Sequence, residues 1–365
     1  MTQPTTSPLL LIPGPTPVPQ PVLEALARPT EAHSSPTTAA ALRTAQRGIL
    51  EAVGAEAGEG PLALVLAGSG TLGLEAALVN LIRPGDTLLV VNHGFFGDRY
   101  AELGRTLGAE VVEASCPWGE QVPPDQVERA LTESGARVMT VTHVDTATGV
   151  VAPIAAYAEI ARRHEALMVL DSVAGVGGMP VEMGRLGIDV VVTASQKALG
   201  APPGLAILAL SERALEHRRR LGRSGSYFLD WLRWEGPMRD PVARYFATLP
   251  TNLVIAAGAA LQLAVAEGWQ ARFRRHHRMG IAMRRGLRAI GLPPIATEEI
   301  CSDTVSAFGL PSGVAPAQLR LEVAKHGVSI AGGIGAWSDS AGRVGHMGAA
   351  GLPELMEGMA ALESA

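Results

Sequence analysis

The sequence predicts an α/β protein in which a mostly parallel, seven-stranded sheet lies between helices and a smaller α/β domain follows. Two observations carry this expectation. Seven short apolar runs rich in Val, Leu and Ile alternate with helical stretches, the pattern of a parallel sheet covered on both faces. The 365 residues are 47% hydrophobic but only 4% aromatic, which suits aliphatic helix-on-sheet packing around a sizeable core.

Taken in order, Met1 to Pro8 reads as a flexible stretch leading to Leu9-Leu10-Leu11-Ile12, within an N-terminal arm of residues 1–20. A large domain then covers 21–251, with strands expected at 62–67, 87–91, 110–113, 138–143, 166–171, 189–194 and 205–210. From Asn252 to Ile290 a long helical pattern, interrupted near Gly268 and Gly280, forms a bridge over 252–290. Gly291-Leu292-Pro293-Pro294 opens a small domain, 291–365, whose last helix starts near Pro353. There is no internal repeat or low-complexity linker.

Lysine is nearly absent. Lys197 and Lys325 are the only two among thirty basic residues, and only an amine, unlike a guanidinium, can lose its proton and attack a carbonyl. Lys197 follows the apolar strand ending at Ala194, and Asp171 ends the strand before it. In open α/β sheets ligands bind outside the carboxyl ends of the strands, so acid and amine can face one pocket. Pyridoxal 5′-phosphate needs that pair: an amine to condense with its aldehyde and an anion for its pyridine nitrogen. The bland alternatives are a solvated loop lysine and a helix-capping aspartate.

A phosphate site is also present. The strand Leu62–Ala67 runs into Gly68-Ser69-Gly70-Thr71 and then a helix-like run from Leu72 to Leu81. A helix N-terminus offers unpaired N–H groups to an anion, glycines allow close approach, and Ser69 and Thr71 add hydroxyls. Gly68, Gly70 and Gly73 also fit the dinucleotide fingerprint, but that motif wants an acid about twenty residues on. The next strand ends at Asn92 and His93 instead.

Other classes fare worse. A net charge of −5 gives no general attraction to nucleic acid. The run of arginines from Arg272 to Arg288, with His276 and His277, reads as a solvated or interdomain helix face rather than a binding patch. Cys116 and Cys301 are far apart and lack metal spacing, so no metal site and reduced thiols in the cytoplasm are expected. No apolar run approaches the roughly twenty residues that span a bilayer, and the first residues lack the pattern of a secretory signal.

The chain resembles the fold-type I, class V aminotransferases of the alanine–glyoxylate and serine–pyruvate group over nearly its whole length. The likeness rests on Pro13-Gly14-Pro15-Thr16, Gly68-Ser69-Gly70-Thr71 with Leu74-Glu75-Ala76-Ala77-Leu78-Val79-Asn80, and Thr142-His143 with Thr148-Gly149-Val150. It continues through Asp171-Ser172-Val173-Ala174, Ser195-Gln196-Lys197-Ala198-Leu199 with Pro202-Pro203-Gly204, and Arg343-Val344-Gly345-His346-Met347-Gly348. By that resemblance Lys197 is the cofactor-attaching and proton-transferring lysine and Asp171 the partner of the pyridine nitrogen. Ser69, Gly70, Thr71 and Gln196 would contact the phosphate side, Thr146 the ring's phenolic oxygen, and Phe96 would stack on the ring where some relatives carry tryptophan.

The resemblance further makes Arg343 the ligand of the substrate's α-carboxylate, in a small site near Gly14 and Gly332-Gly333. Tyr245 and Thr248 would reach the phosphate of the neighbouring subunit, which implies a homodimer with shared active sites. The implied reaction is transamination of alanine or serine with glyoxylate or pyruvate. A ureidoglycine–glyoxylate aminotransferase, a cysteine desulfurase-like lyase using Cys301, and a non-catalytic binding protein are the alternatives.

Overall fold

A computed structural model describes residues 7–55 and 60–365, so most of the stretch Met1–Pro8 lies outside the described residues. Seven strands form the main sheet: β1 (Leu62–Ala67), β2 (Thr87–Asn92), β3 (Glu110–Ser115), β4 (Val138–Thr142), β5 (Leu167–Asp171), β6 (Val190–Ala194) and β7 (Leu205–Leu210). Among the described residues their order is β1-β7-β6-β5-β4-β2-β3. Every neighbouring pair is parallel except those made by β7, which runs antiparallel to β1 and β6. Each strand lies near its expected bounds.

The interior strands are apolar on both faces because helices cover both. All five residues of β4, β5 and β6 are buried. β3 instead exposes Glu110, Glu113 and Ser115, and such polar residues protect a sheet edge from pairing with another chain. The helix α1 (Gly70–Leu81) lies so close to the sheet that a Cβ on Gly73 would stand 2.6 Å from Val192 Cγ1.

The expected bridge is two helices, α2 (Thr251–Glu267) and α3 (Trp269–Ala289), meeting at 86° across Gly268, whose φ is +80°. The interruption expected at Gly280 is absent: α3 continues through it. Glycine is needed there for close packing, since a Cβ would sit 3.2 Å from Asp303 Cα. The α2 side chains Val254, Ala256, Ala257, Ala260 and Leu261 join the main core, whereas Met279, Met283 and Leu287 of α3 join a second core with Phe308, Val323, Val328 and Val344.

The arginine run is only partly solvated. Arg272 and Arg284 are buried; Arg272 donates to the carbonyls of Gly177 and Ala198 and pairs with Glu267, and Arg284 donates to Ser302 O and pairs with Glu298. These bonds tie α3 to the main-sheet loops on one side and to the second core on the other. A small antiparallel sheet, β8 (Val305–Gly309), β9 (Ala331–Gly332) and β10 (Ala341–Gly345), is ordered β8-β10-β9. Leu9–Leu10 pairs in parallel with Val328–Ser329, and Leu11 is buried in the second core, so residues 9–11 are anchored to the second core before the chain reaches the main sheet. No single helix among the described residues is long and apolar enough to cross a membrane.

Candidate active site

The carboxyl ends of β5 and β6 bring Asp171 and Lys197 to one cavity. It measures about 170 Å³ and is lined also by Ser69, Gly70, Thr71, Phe96, Thr146, Val173 and Gln196. The turn after β6 is fixed from three sides. Ser195 Oγ donates to Pro202 O, Gly200 N–H to Lys197 O, and the N–H and hydroxyl of Thr16 to the carbonyls of Gln196 and Lys197. Lys197 Nζ donates to Pro13 O. Gly14 is bound to be glycine: its φ is +108°, and a Cβ there would stand 2.6 Å from Lys197 Cδ and 2.7 Å from Nζ.

Electrostatics prepare both groups. Burial, then the Arg343 guanidinium, pull the Lys197 amine down to about 8, with Asp171 opposing them. That brings the nucleophilic free amine within reach of neutral pH. Burial pushes the Asp171 carboxyl up to about 6, despite a 3.0 Å hydrogen bond from Val173 N–H and the nearby Lys197 and Arg99 cations. A cation placed against Asp171 would draw it back to the carboxylate.

At the opposite end Ser69 caps α1 without using its hydroxyl. The first N–H groups of a helix have no intrahelical acceptor, so this cup can take an anion. Gln196 Oε1 is buried without a partner among the described residues. Val173 and Phe96 both line the cavity and give it an apolar wall. Anion cup, apolar wall, buried carboxylate and amine therefore fit the phosphate, ring, pyridine nitrogen and aldehyde of pyridoxal 5′-phosphate.

A second cavity of about 430 Å³ opens beside the first and shares Phe96, Thr146 and Lys197 with it. Gly14, Gly332, Gly333 and Arg343 line it. Arg343, on β10, is oriented by its Nε–H to Gly332 O at 2.7 Å and its Nη1 to Thr146 O at 3.3 Å. It makes no ion pair with any described residue. The stretch after β10 is held by buried His276 of α3, whose Nε2 accepts from Gly348 N–H at 3.1 Å; burial drops that imidazole to about 3, so it stays neutral and can accept.

Tyr245 and Thr248 are not brought to this site. They bond to each other at 3.2 Å, Tyr245 is 62% exposed, and both line shallow surface pockets away from Lys197. Asp145 and Arg99 were missed in the sequence. Fully buried Asp145 accepts from the N–H groups of Phe96, Ala147 and Thr148 at 2.9 to 3.2 Å, so one carboxylate ties the start of helix Phe95–Thr106 to the turn that carries Thr146. Arg99 lies 4.9 Å from the Phe96 ring centre, donates to Thr71 Oγ1 at 3.1 Å and lines the first cavity. Its place three residues after Phe96 on a helix was the available signal.

Comparison with known proteins agrees with this geometry. Residues 9–338 match the family model described as aminotransferase class-V. The L-aspartate–glyoxylate aminotransferase of Paracoccus denitrificans is 33% identical over 97% of this chain and 90% of its own length. The crystal structure of an alanine–glyoxylate aminotransferase from Nostoc sp. superposes with a TM-score of 0.94 at 28% identity, covering 100% of this chain and 97% of that one. That of a ureidoglycine–glyoxylate aminotransferase from Bacillus subtilis gives 0.91 at 25% identity, covering 100% and 94%. With the lysine, the carboxylate, the phosphate cup and the arginine already gathered about one pair of cavities, the chain belongs to the class-V aminotransferases, which work with pyridoxal 5′-phosphate.

Proposed function

We propose that this chain moves the amino group of a small α-amino acid, alanine or serine, to glyoxylate or pyruvate. The observation that carries this reading is the shared wall between the cavities: Lys197 lines both, and the Arg343 guanidinium, in no ion pair with a described residue, lines the outer one. Arg343 takes the substrate carboxylate in two parallel hydrogen bonds and so fixes the plane of the amino acid. Lys197, whose amine burial has made less basic, holds and returns the proton at the substrate's Cα. Asp171 would hold the positive charge of the pyridine nitrogen, and Phe96 and Val173 would give the bound ring an apolar surround. When bound, the cofactor supplies an electrophilic carbonyl and an electron-withdrawing ring.

Glyoxylate is the acceptor common to the named relatives above, and the small, backbone-lined site around Gly14, Gly332 and Gly333 supports a small donor. A desulfurase needs a reactive cysteine at the cofactor. Cys116 and Cys301 line neither cavity, and burial raises both thiols to about 11. Two unpaired thiols support a reducing, cytoplasmic setting. The functional unit in this reading is a homodimer. Its support is the exposed Tyr245–Thr248 pair, available to a second copy, beside the exposed apolar residues Tyr227, Phe228 and Val242.

The reading is tested by incubating the holoenzyme with labelled glyoxylate and alanine, serine, aspartate, glutamate or ureidoglycine in turn and measuring labelled glycine. Glycine formed with alanine or serine is the expected result. Glycine formed from ureidoglycine alone would transfer the assignment to that donor, and none from any donor would overturn transamination.

A further inference from the structure

The outer cavity carries a cation beyond the one that holds the substrate's α-carboxylate. Its lining residues include three cations, Lys197, Arg320 and Arg343, and no aspartate or glutamate. Arg320 lies on the helix Pro316–Lys325 and makes no hydrogen bond or ion pair with any described residue. It stands across Gly332 from Arg343. A Cβ on Gly332 would lie 3.6 Å from Arg320 Cδ, while the Gly332 carbonyl accepts the Arg343 Nε–H at 2.7 Å. Two arginine side chains thus approach one glycine, Arg343 half-buried and oriented by its hydrogen bonds, Arg320 exposed and without a partner among the described residues.

Resting on the transamination reading, we propose that Arg320 extends the donor range beyond alanine and serine by receiving the side-chain carboxylate of a short dicarboxylic α-amino acid, aspartate or glutamate, while Arg343 holds the α-carboxylate. The arrangement leaves the two negative charges of such a substrate on two separate guanidiniums and its amino group toward Lys197. A forked, permanently charged donor suits a carboxylate better than a lysine would. The lysine-poor composition makes arginine the default cation here, so it is the position of Arg320, unpaired and on the cavity wall, that carries the assignment.

The test compares wild-type and Arg320→Gln holoenzymes by the rate at which aspartate, glutamate and alanine each convert the cofactor absorbance band. Binding of succinate, which has two carboxylates and no amine, is measured alongside by calorimetry. The efficiency with the better dicarboxylate, divided by that with alanine, should fall at least about tenfold in Arg320→Gln, as for loss of one charge-assisted pair. Succinate affinity should fall with it. An unchanged ratio, equal succinate affinities, or a wild-type protein that converts alanine but neither dicarboxylate would overturn the proposal while leaving transamination standing. A wild-type band that no amino acid converts would overturn the transamination reading and this proposal together.

Discussion

Lys197→Ala should lose turnover by roughly 10³-fold or more, since one substitution removes both the covalent attachment point and the proton-transfer group. The protein should still fold. Lys197 contributes a single side-chain hydrogen bond, to Pro13 O, and the turn that carries it is held by Ser195, Gly200 and Thr16 through bonds that do not involve its amine. Borohydride reduction followed by peptide mass spectrometry should find the cofactor on the Lys197 peptide of the wild type and on no peptide of the variant. Retention of the covalent adduct in Lys197→Ala would remove this residue from the chemistry, and retention of activity would reopen the dinucleotide reading of Gly68, Gly70 and Gly73.

Arg343→Gln separates substrate recognition from cofactor binding. Removing one partner of a buried, hydrogen-bonded charge pair costs 2–5 kcal/mol, so kcat/KM for every amino acid should fall on the order of 10²-fold. The bound-cofactor absorbance should survive, because Arg343 reaches Gly332 O and Thr146 O rather than the Ser69–Thr71 cup. A second readout follows from charge. Burial and the Arg343 cation both lower the Lys197 amine, to about 8. Without that cation, Lys197 in the cofactor-free protein should deprotonate at higher pH, and the pH profile for uptake of added cofactor should move upward. Unchanged kinetics would take Arg343 out of the site.

The strands and the two central residues were legible because their signals are local. A strand buried on both faces must be continuously apolar, as Val190–Ala194 is, and the residues that emerge from its carboxyl end face the ligand side of the sheet. Gly280 misled because a mid-helix glycine reads as a break, while the contact that requires it, Asp303, is twenty-three residues away. Of the solvated or interdomain face expected for the arginine run, the solvated part fails at Arg272 and Arg284 for a related reason. Charge predicts exposure unless partners are present, and their partners are carbonyls at Gly177, Ala198 and Ser302, which no periodicity reveals.

The same limit hid Asp145 and Arg320. Asp145 becomes a scaffold because the first turn of helix Phe95–Thr106 presents the Phe96 N–H to it, and Arg320 and Arg343 approach one glycine only because helix Pro316–Lys325 and strand β10 both pack near Gly332. The roles proposed for Tyr245 and Thr248 depend on a second subunit, whose geometry a single chain's periodicity does not encode.

The central claim is that Lys197, Asp171 and Arg343 form one transaminating site. Its most direct test is a half-reaction: purified holoenzyme is mixed with alanine or serine alone, and absorbance is followed as the bound cofactor takes up the amino group. The band should convert to that of the aminated cofactor with one equivalent of keto acid released per site, and glyoxylate should restore it. A cofactor band that no amino acid changes, or a purified protein that binds no cofactor when pyridoxal 5′-phosphate is supplied, would contradict the account.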